Sequence, residues 1–216
     1  MRQIFSVRQV PKLGWSSTSP FNLRPAPLTL FYLNLGLLLF GLGEALLIAS
    51  GAGVSPWTVF AQGISLNTGW SIGFSTMVVS FAILLLWVPL RQKPGIGTIL
   101  NALIIAFMID FSLTWLPFPT QIGWQLAQAA GGVLLVGIAS GIYLTANLGA
   151  GPRDGLMTGL QAITGQPIAT IRIAIEVVAV SIGWYLGGTV GAGTLMFAFG
   201  VGPCVAIGIL LVRRFL

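Results

Sequence analysis

Histidine is absent from the 216 residues and cysteine occurs once, as Cys204. Without an imidazole the chain cannot assemble a Ser-His-Asp or Cys-His nucleophile, the usual zinc sites or a histidine proton relay. A lone thiol in an apolar run allows no intrachain disulfide and no thiolate metal site. Charge is nearly as scarce: ten Lys and Arg and four acids make up 6% of the chain, where a soluble domain carries about 25%. No basic stripe interleaved with aromatics lies on a polar face, so the net charge of +6 reads as a topology signal and not as a nucleic-acid footprint. Isolated carboxylates remain, with no intramembrane aspartyl protease signature around them. The expectation is a protein that is not an enzyme, with no cofactor, no metal and no nucleic-acid partner.

What the chain has in abundance is apolar sequence. Hydrophobic residues make up 56% and the mean hydropathy is +0.95, so the bilayer is its solvent and the fold class is all-α, polytopic. Residues 1–28 hold Arg2, Arg8, Lys12, Arg24 and four prolines with no acid, a basic tail expected to be mobile and on the cytoplasmic side. Six apolar runs follow, at 28–50, 70–90, 96–116, 126–146, 168–186 and 192–212, each near the ~20 residues that cross a bilayer. Pieces of about 12 residues at 55–66 and 152–163 are too short to cross and read as half-helices. With the tail inside, Arg91, Lys93, Arg153, Arg213 and Arg214 all fall on the cytoplasmic side, while the loop at 117–119 has no basic residue. Both termini are therefore expected in the cytoplasm.

Each half-helix starts after a break. Residues 51–59 read Gly-Ala-Gly-Val-Ser-Pro-Trp-Thr-Val, and residues 147–155 read Asn-Leu-Gly-Ala-Gly-Pro-Arg-Asp-Gly. Glycine permits positive φ, and proline sits comfortably only in the first turn of a helix. In lipid such a break survives only where protein or a water-filled cavity satisfies the freed backbone groups. Laid against itself at an offset of 96, the chain pairs residues 36–111 with 132–207 and gives fifteen identities. Ten of them are Gly, Pro or Thr, the breakers and contact residues, including Gly53 with Gly149 and Pro56 with Pro152. The reading is two membrane repeats, 29–123 and 124–216, of three spans and one half-helix each. An odd number of crossings turns the second copy upside down, which makes the repeat inverted. The repeat also argues against a cleaved leader ending at Ala49-Ser50-Gly51, because the first span has a counterpart inside the chain.

Gly-Ala-Gly-Val-Ser-Pro-Trp with Gly63, Thr68 and Gly69, and Leu-Gly-Ala-Gly-Pro-Arg-Asp-Gly with Thr164 and Gly165, resemble the YczE-like branch of the YczE/YyaS/YitT family of bacterial integral membrane proteins. The resemblance covers nearly everything after residue 28. It implies a multi-pass protein of the bacterial cell membrane and carries over no catalytic residue.

Paired breaks in two inverted halves point to a binding site near the bilayer midplane, so Gly53, Pro56, Gly149, Gly151 and Pro152 are candidate site positions, against the alternative of a duplication that only built a stable bundle. Membrane-buried ionisable residues add Glu44, Arg153, Asp154, Arg172 and Glu176. Asp154 suits the positive end of a helix dipole. Arg153 opposes it, so a carboxylate of the protein or an anionic ligand group should hold the arginine there, unless it is only a snorkelling topology charge. Arg172 and Glu176 share a helix face and can neutralise each other. Glu44 has no partner on its own helix and is expected protonated, paired with an arginine from another helix, or facing water. Asp110 reads as interfacial, and Trp57, Trp70, Trp115, Trp124 and Trp184 as an interfacial belt. Gly69/Gly73, Gly137/Gly141 and Gly183/Gly187 allow close helix contact, within the chain or in a homo-oligomer. The leading function is a small secondary transporter of a small polar, anionic or zwitterionic, metabolite. The alternatives are a membrane-embedded substrate-capture subunit, since six spans in a chain this short resemble those of energy-coupling-factor vitamin importers, and a non-transporting accessory protein.

Overall fold

A computed structural model describes residues 11–215; residues 1–10, with Arg2 and Arg8 of the expected tail, and residue 216 lie outside the described residues. Eight helices run in order: α1 Pro27–Ser50, α2 Pro56–Thr68, α3 Ile72–Trp87, α4 Ile96–Leu113, α5 Ile122–Thr145, α6 Pro152–Thr164, α7 Ile168–Tyr185 and α8 Ala192–Phe215. No strand occurs among the described residues. Five helices, α1, α4, α5, α7 and α8, are long and apolar enough to cross a membrane, and a sixth crossing follows if α2 and α3, bent by 115° at their junction, count as one span. α3 alone has 16 residues, about 24 Å at 1.5 Å per residue, short of the ~30 Å hydrocarbon layer.

The backbone repeats itself at the offset seen in the sequence. α2 and α6 both have 13 residues, begin on a proline and end on a left-handed glycine, Gly69 or Gly165. The residues with positive φ form four pairs 96 apart: Gly51 with Asn147, Gly53 with Gly149, Gly69 with Gly165, and Arg91 with Gly187. The break segments also cross between halves. Gly97 N–H donates to the Leu148 carbonyl at 2.8 Å, and Gly193 N–H donates to the Ala52 carbonyl at 2.8 Å. A Cβ at Gly149 would meet Thr98 Oγ1 at 2.6 Å, and one at Gly53 would meet Thr194 Oγ1 at 2.8 Å. Each break is thus seated on the first turn of the other half's last helix, which answers where its freed backbone groups go.

Around this joint α1 and α5 form the central pair, α4 packs on α1 and α8 on α5. Small residues let the pairs close: Gly36 and Gly43 face α5 at Tyr143 and Val136, while Gly137 and Gly141 face α8 at Cys204 and Gly208. The short helices cross over, α2 lying on α7 and α6 on α3. Gly183 of α7 comes against the backbone of Val59 and Phe60, and Trp87 of α3 fills the space over Gly155. One departure from the repeat is clear. α3 packs along α4, whereas α7 barely touches α8, and α7 buries only Ile171, Ala179 and Gly183.

Two expectations change. The described part of the basic tail is packed, not free: Trp15 and Ser17 are buried, Ser17 N–H donates to the Ala146 carbonyl at 3.0 Å, and Asn147 Nδ2 donates to the Ser17 carbonyl at 2.7 Å. Trp15 also stacks on Tyr32 with ring centroids 4.5 Å apart. Asp110 is not simply interfacial. Its carboxylate accepts from Ser71 Oγ at 2.6 Å and from Gly73 N–H at 2.7 Å, closing the N-terminus of α3, where unpaired N–H groups and the dipole favour an anion.

Candidate functional site

A cavity of about 200 Å³ lies where the two short helices begin, and residues from all eight helices line it. Much of its wall consists of positions 96 apart: Phe40 with Val136, Trp57 with Arg153, Thr76 with Arg172, Ser80 with Glu176, Asn101 with Phe197, and Ile105 with Val201. Positions paired by the offset thus face one cavity, and the two members of a pair present different chemistry.

Arg153 is placed by the first turn of α6, behind Pro152 and the extended Gly151. Its guanidinium stacks over the Trp57 ring at 5.5 Å from the centroid, so the two equivalent residues meet face to face, and such a contact contributes roughly 0.5–2 kcal/mol. Arg172 with Glu176 is the ion pair within 4 Å found among the described residues, at 2.8 Å along α7; Arg153 forms none. Asp154 takes a hydrogen bond from the Tyr143 hydroxyl at 3.0 Å, in the first turn of α6 where negative charge suits the dipole. Trp57 is 8% exposed and its Nε1 has no partner.

Glu44 stands just behind this wall, on α1, 1% exposed. Its Oε2 lies 2.8 Å from Ser55 Oγ and 2.8 Å from Thr58 Oγ1, and these two hydroxyls lie 2.9 Å from each other. Its Oε1 has no hydrogen-bond partner among the described residues. Arg153 approaches this group through Trp57, the residue before Thr58 on α2.

Of the positions singled out in the sequence, Arg153, Asp154, Arg172, Glu176, Gly151 and Pro152 line the cavity. Glu44 adjoins it through α2. Pro56 starts α2 from a buried position without facing the cavity. Gly53 and Gly149 do not reach it; their φ of 110° and 114° belong to the joint between halves. Trp57 leaves the interfacial belt and becomes wall, whereas Trp70, Trp115, Trp124 and Trp184 are 44–69% exposed, as a belt requires. Sequence reasoning missed Trp57, Tyr143, Thr76, Ser80 and Asn101. The available signal was the offset itself: read for substitutions as well as identities, it sets Thr76 and Ser80 opposite the charged pair Arg172 and Glu176.

A family model described as a family of unknown function, DUF6198, matches residues 28–209. An uncharacterized protein of Haemophilus influenzae is 36% identical over 208 residues, covering 96% of this chain and 94% of that one. The uncharacterized membrane protein YczE of Bacillus subtilis is 35% identical over 169 residues, 76% of this chain and 77% of that one. The uncharacterized protein YyaS of the same organism is 26% identical over 169 residues, 76% of this chain and 84% of that one. No solved structure matches the chain.

Proposed function

Because the chain belongs to the family of unknown function DUF6198, as a YczE-like membrane protein, its activity has to be argued from the cavity, and we propose a small secondary carrier for a small anionic or zwitterionic metabolite. In this reading six spans form two inverted three-span halves in a bacterial cell membrane, both termini are cytoplasmic, and no catalytic step is involved. The carrying observation is Arg153: a guanidinium held against Trp57 in the cavity wall, with no ion pair within 4 Å among the described residues. A planar fork of donors favours a carboxylate or phosphate oxygen pair. Asp154 and Glu176 line the same space and suit a ligand ammonium, which extends the reading to zwitterions. The volume, about 200 Å³, equals roughly seven waters at ~30 Å³ each and limits the cargo to a small molecule.

Uptake into vesicles containing the purified protein alone tests the reading, with radiolabelled amino acids, dicarboxylates and phosphate esters as cargo. Arg153→Ala should cost about 2–5 kcal/mol of binding, the range for removing one member of a buried charge pair, and Arg153→Lys should weaken binding substantially by losing the fork. If lysine substitutes freely, Arg153 is a topology charge and the site lies elsewhere. Binding without uptake would favour the capture subunit instead. Topology is tested separately in a Cys204→Ala background: a cysteine at Gln92 should label only from the cytoplasm and one at Thr120 only from outside.

A further inference from the structure

We propose that Glu44, closed in by Ser55 and Thr58, is a proton-binding site whose proton is taken up together with an anionic group at Arg153. The second half of this statement rests on the carrier reading; the first does not.

Proton counting carries the argument. Three oxygens, Glu44 Oε2, Ser55 Oγ and Thr58 Oγ1, stand mutually 2.8–2.9 Å apart, and all three contacts are hydrogen bonds only when each holds one hydrogen. The two hydroxyls supply two hydrogens. The third has to come from the carboxyl group, which then donates to one hydroxyl while accepting from the other and closes a three-membered ring. An ionised Glu44 would leave one of the three contacts without a hydrogen. It would also leave charge on Oε1, which is buried without a partner, the costly case for a group removed from water. A neutral carbonyl oxygen in that place costs far less.

The surroundings set the sign of the coupling. α2 brings only the two hydroxyls to Glu44. α4, packed on α1, offers Asp110, which is spent on the start of α3. α5 offers Tyr143, which donates to Asp154. From α6, Arg153 is the cation set over Trp57, the residue before Thr58, and Asp154 of α6 and Glu176 of α7 line the same cavity as Arg153. A neighbouring cation favours the carboxylate over the acid. An anion seated on Arg153 cancels that influence, so Glu44 keeps the O–H bond of the ring to higher pH, and where the proton has been lost it is regained from hydronium, releasing water. By reciprocity, a proton on Glu44 strengthens anion binding by the same factor. A monovalent anion and this proton together cross without net charge, which makes the carrier a symporter.

Infrared spectroscopy of the full-length protein in phosphatidylethanolamine and phosphatidylglycerol vesicles tests the site. Glu44 and Glu176 are the two glutamates of the chain, so isotope-labelled glutamate marks only them. At neutral pH the wild type should show the labelled carbonyl stretch of a protonated acid, kept in Glu176→Gln and lost in Glu44→Gln. Absence of that band from the wild type, a reading that needs no variant to fold, overturns the proton site, as does its survival in Glu44→Gln. Ser55→Ala with Thr58→Val should open the ring and confine the band to more acidic conditions. Arg153→Gln should hold the band to higher pH; no change overturns the linkage. In the same vesicles an inside-alkaline pH gradient should accelerate uptake of radiolabelled glutamate or succinate by the wild type and not by Glu44→Gln. Equal acceleration in both overturns the symport. With the band intact, no uptake of either cargo overturns the symport and leaves the proton site standing.

Discussion

At the first break the acid stands on the long helix, Glu44 of α1, and the short helix meets it with Ser55 and Thr58. At the second break Ser140 occupies the equivalent place on α5, and the acid has moved to the short helix as Asp154, met by Tyr143. The same exchange recurs around the cavity. Trp57 opposes Arg153, and the hydroxyl pair Thr76 and Ser80, bonded back to its own helix, opposes the ion pair Arg172 and Glu176. Residue size is exchanged too: in one crossing the backbone at Val59 lies on Gly183, and in the other Gly155 lies under the Trp87 ring. Backbone geometry, held by glycine φ values and the prolines, has been kept in both halves. Polarity and size are kept only as sums over paired positions, so one half can carry charge while the other supplies an aromatic or hydroxyl counterface.

The bulk exchange should give the largest effects. Trp87 is 3% exposed, and its Nε1 donates to the Pro152 carbonyl at 3.0 Å. Trp87→Ala should cost about 3–5 kcal/mol, measured by unfolding in detergent. Gly155→Val puts side-chain atoms into the Trp87 ring and should cost about 1–3 kcal/mol. Combined, Trp87→Ala and Gly155→Val reproduce the large-on-small order of the other crossing. They should be less destabilising than the sum of the two; additive losses would break the view that the crossings are size-swapped copies.

The joint gives the next effect and should be symmetric. Gly53→Ala and Gly149→Ala each force a side chain into φ near 110° and against a threonine hydroxyl. Each should lose roughly 1–3 kcal/mol, by similar amounts. A large loss in one half only would mean that a single break is structural. Least affected should be the ion pair on α7, whose side chains are 43% and 18% exposed. Glu176→Gln should change stability by less than about 1 kcal/mol, as exposed pairs do, and resemble Ser80→Ala in the other half. If Glu176→Gln also left cargo binding untouched, the charged half would owe its chemistry to Arg153 and Asp154 alone.

The breaks and short helices were legible because their signals are local. Pro56 and Pro152 open α2 and α6, Gly69 and Gly165 close them, and no long-range contact is needed to read a residue that lacks an N–H or a Cβ. Family membership was legible from the same motifs. Side-chain meetings between helices were not, because hydropathy in a lipid-facing helix says little about which face turns inward. Trp57 therefore read as belt when it is cavity wall. The hydroxyl ring on Glu44 needs α1 and α2 to fold back over the break, and the docking of Trp15 and Ser17 needs a surface that exists only once α5 has ended at Thr145. The weak contact of α7 with α8 has no sequence signature we can identify.

The crossed amide–carbonyl pairs at the joint bear on how the protein is made. A chain built from its N-terminus exposes the Ala52 carbonyl early, yet its donor, Gly193, belongs to the first turn of the last helix. Until that helix is made, the Ala52 carbonyl lacks the donor that the finished fold gives it, a costly state for a group removed from water. The other crossed bond, from Gly97 to Leu148, needs only the chain as far as the second break. The two bonds of the joint therefore become available in sequence, and the bond from α8 is the second of them.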